Sequence, residues 1–162
     1  MLRAADSEIA LDPGETKFLP AHAFHLARDL RTAIERELAP HDVTSQQAAL
    51  ILAARRHRGI QPGRLAGPLG TDTAGMTRLV DRLEAKGLLV RRFSSRDRRM
   101  IAIQITDAGR ALAPQLEAAF ARVHARLVVG IDEQELGKLR ALIGRLRENL
   151  AAAAAEGVEV GC

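Results

Sequence analysis

The chain has 162 residues, of which 47% are apolar and only 2% aromatic, with no Trp or Tyr and a formal net charge of +4. That length fits one compact domain, or one domain with extra helices that pair with a second copy, around an aliphatic core. So few aromatics disfavour single-strand binding by base stacking, and the lone cysteine, Cys162, leaves no intrachain disulfide and no cysteine metal site.

Residues 1–16 mix charges around the turn signal Asp12-Pro13-Gly14, so a frayed N-terminus is expected. No apolar run reaches the roughly 18–20 residues of a membrane span, and the N-terminus lacks the apolar stretch of a signal peptide. A cytoplasmic protein with no membrane partner is therefore expected. The first helix runs from about Leu19 to Ala39, with Leu19, Ala23, Leu26, Leu30 and Ala33 on one face, and Pro40 ends it. The second starts at Thr44, which with Gln47 forms a capping box, and runs to about Arg56. Residues 62–69 read as a short helix with Pro62 in its first turn, Leu65, Ala66 and Leu69 inward, and Gly70 as its stop. Thr71-Asp72-Thr73 caps a fourth helix that runs to Lys86 and stops at Gly87, with Met76, Leu79, Val80 and Leu83 as its apolar stripe.

The period then changes from 3.6 to 2. Leu88–Phe93 and Arg99–Ile105 read as two strands joined by the polar, turn-prone Ser94-Ser95-Arg96-Asp97-Arg98. Thr106 caps a long helix holding Leu112, Leu116, Phe120, Val123 and Leu127, with Pro114 as a kink point and Gly130 as its break. Asp132 with Glu135 opens the last helix. Its Leu136, Leu139, Ile143, Leu146 and Leu150 step by 3 and 4, the seam of a helix packed on helices. A tail from Ala151 is expected to fray.

The charge is concentrated in one stretch. Arg55 to Arg99 holds 12 of the 24 basic residues and 4 of the 20 acidic ones, a net of +8 against −4 for the rest. Such a footprint suits a polyanion, although a solvated arginine-rich surface would carry the same charge. Two helices joined by the tight Leu69-Gly70-Thr71-Asp72 turn, followed by a basic hairpin, form a winged helix-turn-helix, a fold that suits duplex DNA. A helix fits the major groove and its N-terminal residues reach base edges. With Met76 and Leu83 inside, Ala74, Arg78, Asp81 and Ala85 point outward, Thr77 and Arg82 flank them, and Thr73 sits in the first turn. Arg78 is the candidate for a bidentate guanine contact, and Thr73 and Thr77 for thymine methyl groups or phosphates. Ala74 permits close approach, and Arg64 adds a cation on the preceding helix. Arg96, Arg98 and Arg99 at the hairpin tip suit a narrow minor groove, while Asp97 among them shapes the wing by pinning an arginine. A helix corner and a solvated turn without DNA remain the plain alternatives.

The run Leu65-Ala66, Leu69-Gly70, Thr77-Arg78-Leu79-Val80-Asp81-Arg82-Leu83-Glu84-Ala85-Lys86-Gly87-Leu88 and Arg91, followed by Asp97-Arg98-Arg99, Ile105-Thr106 and Gly109, resembles the MarR (multiple antibiotic resistance) regulator family. The resemblance spans about Leu19 to Leu150 and is most specific from Thr44 to Gly109. It implies a mainly α fold with a small β-hairpin wing, a winged helix-turn-helix carrying N- and C-terminal dimerisation helices. The domains expected on that basis are a frayed 1–16, a dimerisation helix 17–40, a DNA-binding lobe 41–106, dimerisation helices 107–155 and a frayed 156–162. It also implies a homodimer on an inverted repeat, with Thr73 to Arg78 as the reading end and Arg99 as the minor-groove arginine. Gly67-Pro68 departs from the family pattern, so the third helix is expected to be short or bent. The oxidant-sensing branch uses a cysteine near the start of the first helix, which this chain lacks.

Family members commonly bind small aromatic or phenolic acids between the dimerisation helices and the lobe, which implies a ligand-released repressor without cofactor. His22, His25, Arg28 and His41 are the candidate effector contacts, with Arg31 as a further cation for a ligand carboxylate. His22 and His25, spaced i, i+3, also permit a metal-responsive reading, although no carboxylate is placed to complete a site. A winged-helix regulator of another family is the nearest rival. Catalysis is not expected: there is no Gly-rich phosphate loop, serine elbow, cysteine nucleophile or His-Glu-x-x-His pattern.

Overall fold

The computed structural model describes residues 18–57, 59–93 and 101–156. Calls for fraying at 1–16 and beyond 156, and every expectation for Arg96, Asp97, Arg98 and Arg99, lie outside the described residues. The elements are α1 (Leu19–Leu38), a 3-10 turn (Ala39–His41), α2 (Ser45–Arg56), α3 (Gly63–Ala66), α4 (Thr73–Ala85), β1 (Leu89–Phe93), β2 (Ile101–Ile105), α5 (Asp107–Leu127) and α6 (Glu133–Glu156). This is a mainly helical chain with one antiparallel hairpin, as the sequence implied.

The helix ends follow local chemistry. Thr44 and Gln47 form the full capping box: Thr44 Oγ1 accepts the Gln47 N–H at 3.3 Å, and Gln47 Oε1 accepts the Thr44 N–H at 3.1 Å. Asp132 and Glu135 repeat that exchange before α6, at 2.8 and 3.0 Å. Regular helix in α3 is a single turn, shorter than 62–69, because Pro68 has no N–H to extend the ladder. The chain still closes where expected: Gly70 N–H bonds Gly67 O and Thr71 N–H bonds Ala66 O, a left-handed helix stop. The same pair of bonds, from Gly87 to Glu84 O and Leu88 to Leu83 O, ends α4. α1 ends one residue early, at Leu38, and Pro40 sits in the 3-10 turn. α5 continues through Pro114 as one helix. The expected fraying from Ala151 is corrected. α6 runs on through the alanines to Glu156, since alanine has the highest helix propensity.

The chain divides into two compact units, one up to Val123 and one from His124. The first holds the aliphatic core. Leu38 of α1, Leu50 and Ile51 of α2, Met76, Val80 and Leu83 of α4, Leu89 of β1, Ile103 of β2 and Leu116 of α5 are fully buried together. Burying side chains of this size contributes about 1.5–3 kcal/mol each. Leu65, Ala66 and Leu69 pack against this core from the one-turn helix, and Gln46 Nε2 donates to Leu69 O at 3.1 Å, fixing the approach to α4. In the second unit, Leu139, Ile143, Leu146 and Leu150 of α6 are exposed in the single chain.

Candidate nucleic-acid interface

The turn into α4 is built by three residues. Asp72 is the N-cap, and its Oδ1 accepts the Gly75 N–H at 2.6 Å. A Cβ on Gly75 would stand 2.0 Å from Thr71 Oγ1 and 3.0 Å from Asp72 Oδ1. Glycine there, costly inside a helix, is what lets the capping side chains fold over the first turn.

α4 buries Met76, Leu79, Val80 and Leu83 and exposes Thr73, Ala74, Thr77, Arg78, Asp81, Arg82 and Ala85. The Thr77 hydroxyl donates to Thr73 O at 3.0 Å, so its hydrogen is spent within the helix. Arg78 is exposed and has no ion-pair partner among the described residues. Arg64 on α3 is likewise exposed and unpaired among them. Arg82 lies elsewhere. With Lys86 it lines an open cleft of about 620 Å³ between the ends of α1 and α4 and the start of α2, together with Glu35, Asp42, Val43 and Gln47. Lys86 Nζ bonds Asp42 Oδ2 at 2.8 Å and also Asp42 O, latching the end of α4 to the corner after α1.

The hairpin pairs Leu89 with Ile105, Arg91 with Ile103 and Phe93 with Ile101, and Ile60 adds a bridge to Ile103. Its base is anchored by Thr106. Thr106 Oγ1 donates to Gly87 O at 2.7 Å and accepts the Gly109 N–H at 3.1 Å, while its own N–H bonds Leu88 O. Arg91 joins the hairpin to α4. Its guanidinium pairs with Asp81 at 2.8 Å and with Glu84, and its backbone N–H donates to Glu84 Oε1 at 2.6 Å. Burial pulls the Arg91 pKa down, but the hydrogen bonds and charges of Asp81 and Glu84 outweigh it, so the net shift is upward. Arg92 and Phe93 point outward. Not every cation of the basic stretch faces the same way: Arg55 pairs with Glu117 of α5 at 2.8 Å.

The four effector candidates are not gathered. His22, His25 and Arg28 are exposed on α1, Arg28 pairs with Asp29, and His41 is half-buried in the 3-10 turn; none lines the cleft. Among the described residues no group of three His, Cys, Asp or Glu is placed to hold a metal ion, and no described helix is long and apolar enough to cross a membrane. The cleft, the Lys86–Asp42 latch and the Arg91 pairs escaped the sequence reading. The one available signal was Asp81 and Glu84 at i, i+3, which puts two carboxylates on one helix face.

Residues 41–100 match the model of the MarR family. CouR from Rhodococcus jostii RHA1, in a crystal structure bound to p-coumaroyl-CoA, superposes with a TM-score of 0.75 at 24% identity, over 80% of this chain and 92% of that one. The transcriptional regulator SlyA gives 0.76 at 20% identity, over 84% and 96%. A cysteine-to-serine mutant of MarR from E. coli, complexed with operator DNA, gives 0.70 at 24% identity, over 79% and 94%.

Proposed function

We propose that the chain is a MarR-family regulator, the family whose model its residues 41–100 match, and that it is a sequence-specific, double-stranded DNA-binding transcriptional regulator that binds an inverted repeat as a homodimer. Members of the family are transcriptional regulators rather than enzymes. The observation that carries the reading is the exposed N-terminal face of α4. Thr73, Ala74, Thr77 and Arg78 are exposed there, on a fold shared with a protein complexed with operator DNA. Arg78 reads guanine, and the Thr77 methyl meets thymine or a sugar. Arg64 holds a phosphate. Arg96, Arg98 and Arg99 of the wing, shaped by Asp97, enter the flanking minor groove. Arg82 serves the cleft end of α4 more directly than the reading end.

The apolar seam of α6, exposed in one chain, is covered by a second copy, which also covers the exposed Phe24 and Leu26 of α1. Dimerisation then sets two lobes about one helical turn of DNA apart, roughly 34–36 Å. The protein acts in the cytoplasm as a ligand-released repressor. A small aromatic or phenolic acid, free or as a thioester like the ligand of CouR, is the effector class. The cleft has the volume for such a ligand and offers Arg82 and Lys86 to an anion. His22, His25, Arg28 and His41 are reached only if the dimer brings them to the ligand. Release follows from the ligand's stronger binding to the conformation that fits the duplex less well.

Selection of duplexes from a random pool tests the function and its symmetry together. A palindromic consensus supports the proposal; an absence of enrichment rejects it.

A further inference from the structure

On that reading, α4 and the wing enter neighbouring grooves, so their spacing must be held against the pull of two separate phosphate tracks. We propose that Arg91 is the positioning residue that locks the wing to the recognition helix, so that the two meet the duplex as one rigid body. This rests on the DNA-binding reading and adds to it a residue that touches no DNA.

Arg91 sits at the middle of β1, and its grip covers two turns of α4. The guanidinium reaches Asp81 Oδ1 at 2.8 Å and Thr77 O at 3.5 Å, and it pairs with Glu84, whose second oxygen takes the Arg91 backbone N–H at 2.6 Å. Thr77, Asp81 and Glu84 follow one another at helical spacing, so a single strand residue fixes both the distance and the rotation of α4. The fork geometry of arginine supplies this many directed bonds, which a lysine ammonium on a flexible stem does not reproduce.

Position along the hairpin makes the grip decisive. At the base, Leu89 and Ile103 are locked in the core. One pair beyond Arg91 and Ile103, Ala102 is still buried opposite Arg92, and two pairs out Phe93 and Ile101 are 74% and 49% exposed. Among the described residues, Arg91 is the outermost hairpin side chain that is ion-paired to α4. The Arg91 side chain is only 29% exposed and saturated with carboxylates, which leaves it nothing to offer a phosphate. It also neutralises Asp81, a carboxylate on the exposed side of α4 that would otherwise repel the DNA backbone.

The test is a double-mutant cycle on the full-length dimer, with the selected duplex titrated at several salt concentrations. Arg99→Ala is made in the native protein, in Arg91→Met and in Arg91→Lys, with circular dichroism at the binding temperature as the check on folding. If Arg91 acts through the wing, Arg99→Ala weakens binding tenfold or more in the native background and less than threefold beside Arg91→Met. Arg91→Met alone lowers the salt slope, although Arg91 contacts no phosphate. Arg91→Lys keeps the charge and shows the same coupling, and it decides the matter if the methionine variant unfolds. Equal cost of Arg99→Ala in all backgrounds, or an Arg91→Met affinity loss with an unchanged slope, overturns the inference alone. An Arg99→Ala without effect in the native protein removes the wing from the interface and takes the inference with it.

Discussion

Gly109→Ala and Gly137→Ala are the same substitution in two helices, and the structure gives them opposite signs. In an unhindered helix interior, alanine is more stable than glycine by about 1 kcal/mol. Gly137 in α6 has nothing within 4 Å of an added Cβ, so it should gain about that much. Gly109 is buried in the first turn of α5, and a Cβ there would stand 2.3 Å from Leu88 O and 2.8 Å from Ile105 Cγ1. Relief to ordinary contact needs a shift of about 1 Å. The obstacle is a backbone carbonyl already holding the Thr106 N–H, so it cannot simply rotate away. Overpacking costs about 1–3 kcal/mol, and weakening the Thr106 bonds adds about 1 kcal/mol. Set against the helix gain, the net for Gly109→Ala is a loss of about 1–3 kcal/mol. At about 2–4 °C per kcal/mol the melting temperatures of the two variants should straddle the native value. Differential scanning calorimetry at one fixed protein concentration measures this, because the proposed dimerisation would couple stability to concentration. A Gly109→Ala protein as stable as the native one would refute the account of how the wing base meets α5.

Three further outcomes are expected. Arg78→Ala should cost about 1–3 kcal/mol of binding and relax base choice at one position in each half-site, read by competition with single-base operator variants; a uniform loss across all sequences would reassign Arg78 to phosphate. Leu146→Glu should convert the proposed dimer to monomer in analytical ultracentrifugation, and an unchanged mass would take the α6 seam out of the interface. Asp72→Ala should lower stability by about 1 kcal/mol in urea unfolding through loss of the α4 cap, and an unshifted midpoint would show that the 2.6 Å bond to Gly75 contributes nothing.

What was legible in the sequence was local. The Thr44–Gln47 exchange, the stops at Gly70 and Gly87, the stripe from Met76 to Leu83 and the switch to period 2 before β1 are all set by residues within one or two turns of each other. The exposed face of α4 followed by subtraction. Contacts between distant parts of the chain were not legible. Arg91 meets Asp81 and Glu84 because a strand folds back along a helix, and Lys86 meets Asp42 across 44 residues. Neither pair has a spacing that marks it. The basic stretch from Arg55 to Arg99 looked like one footprint, yet Arg55 serves α5, Arg82 the cleft and Arg91 the helix. Charge in sequence counts cations without saying which are already spent on carboxylates. The alanine run ending α6 failed in the other direction: it offers no apolar seam, but its propensity alone carries the helix on.

The central claim is that Arg78 on α4 and the arginines of the wing sequence meet the phosphates and grooves of a duplex. Equilibrium binding of the full-length protein to a selected palindromic duplex, followed by fluorescence anisotropy from low to physiological salt, tests it most directly. The account predicts tight binding whose logarithm falls linearly with the logarithm of salt, with a slope of about −4 or steeper from the two lobes together. A flat salt response, or equal affinity for the selected and a scrambled duplex, would contradict it.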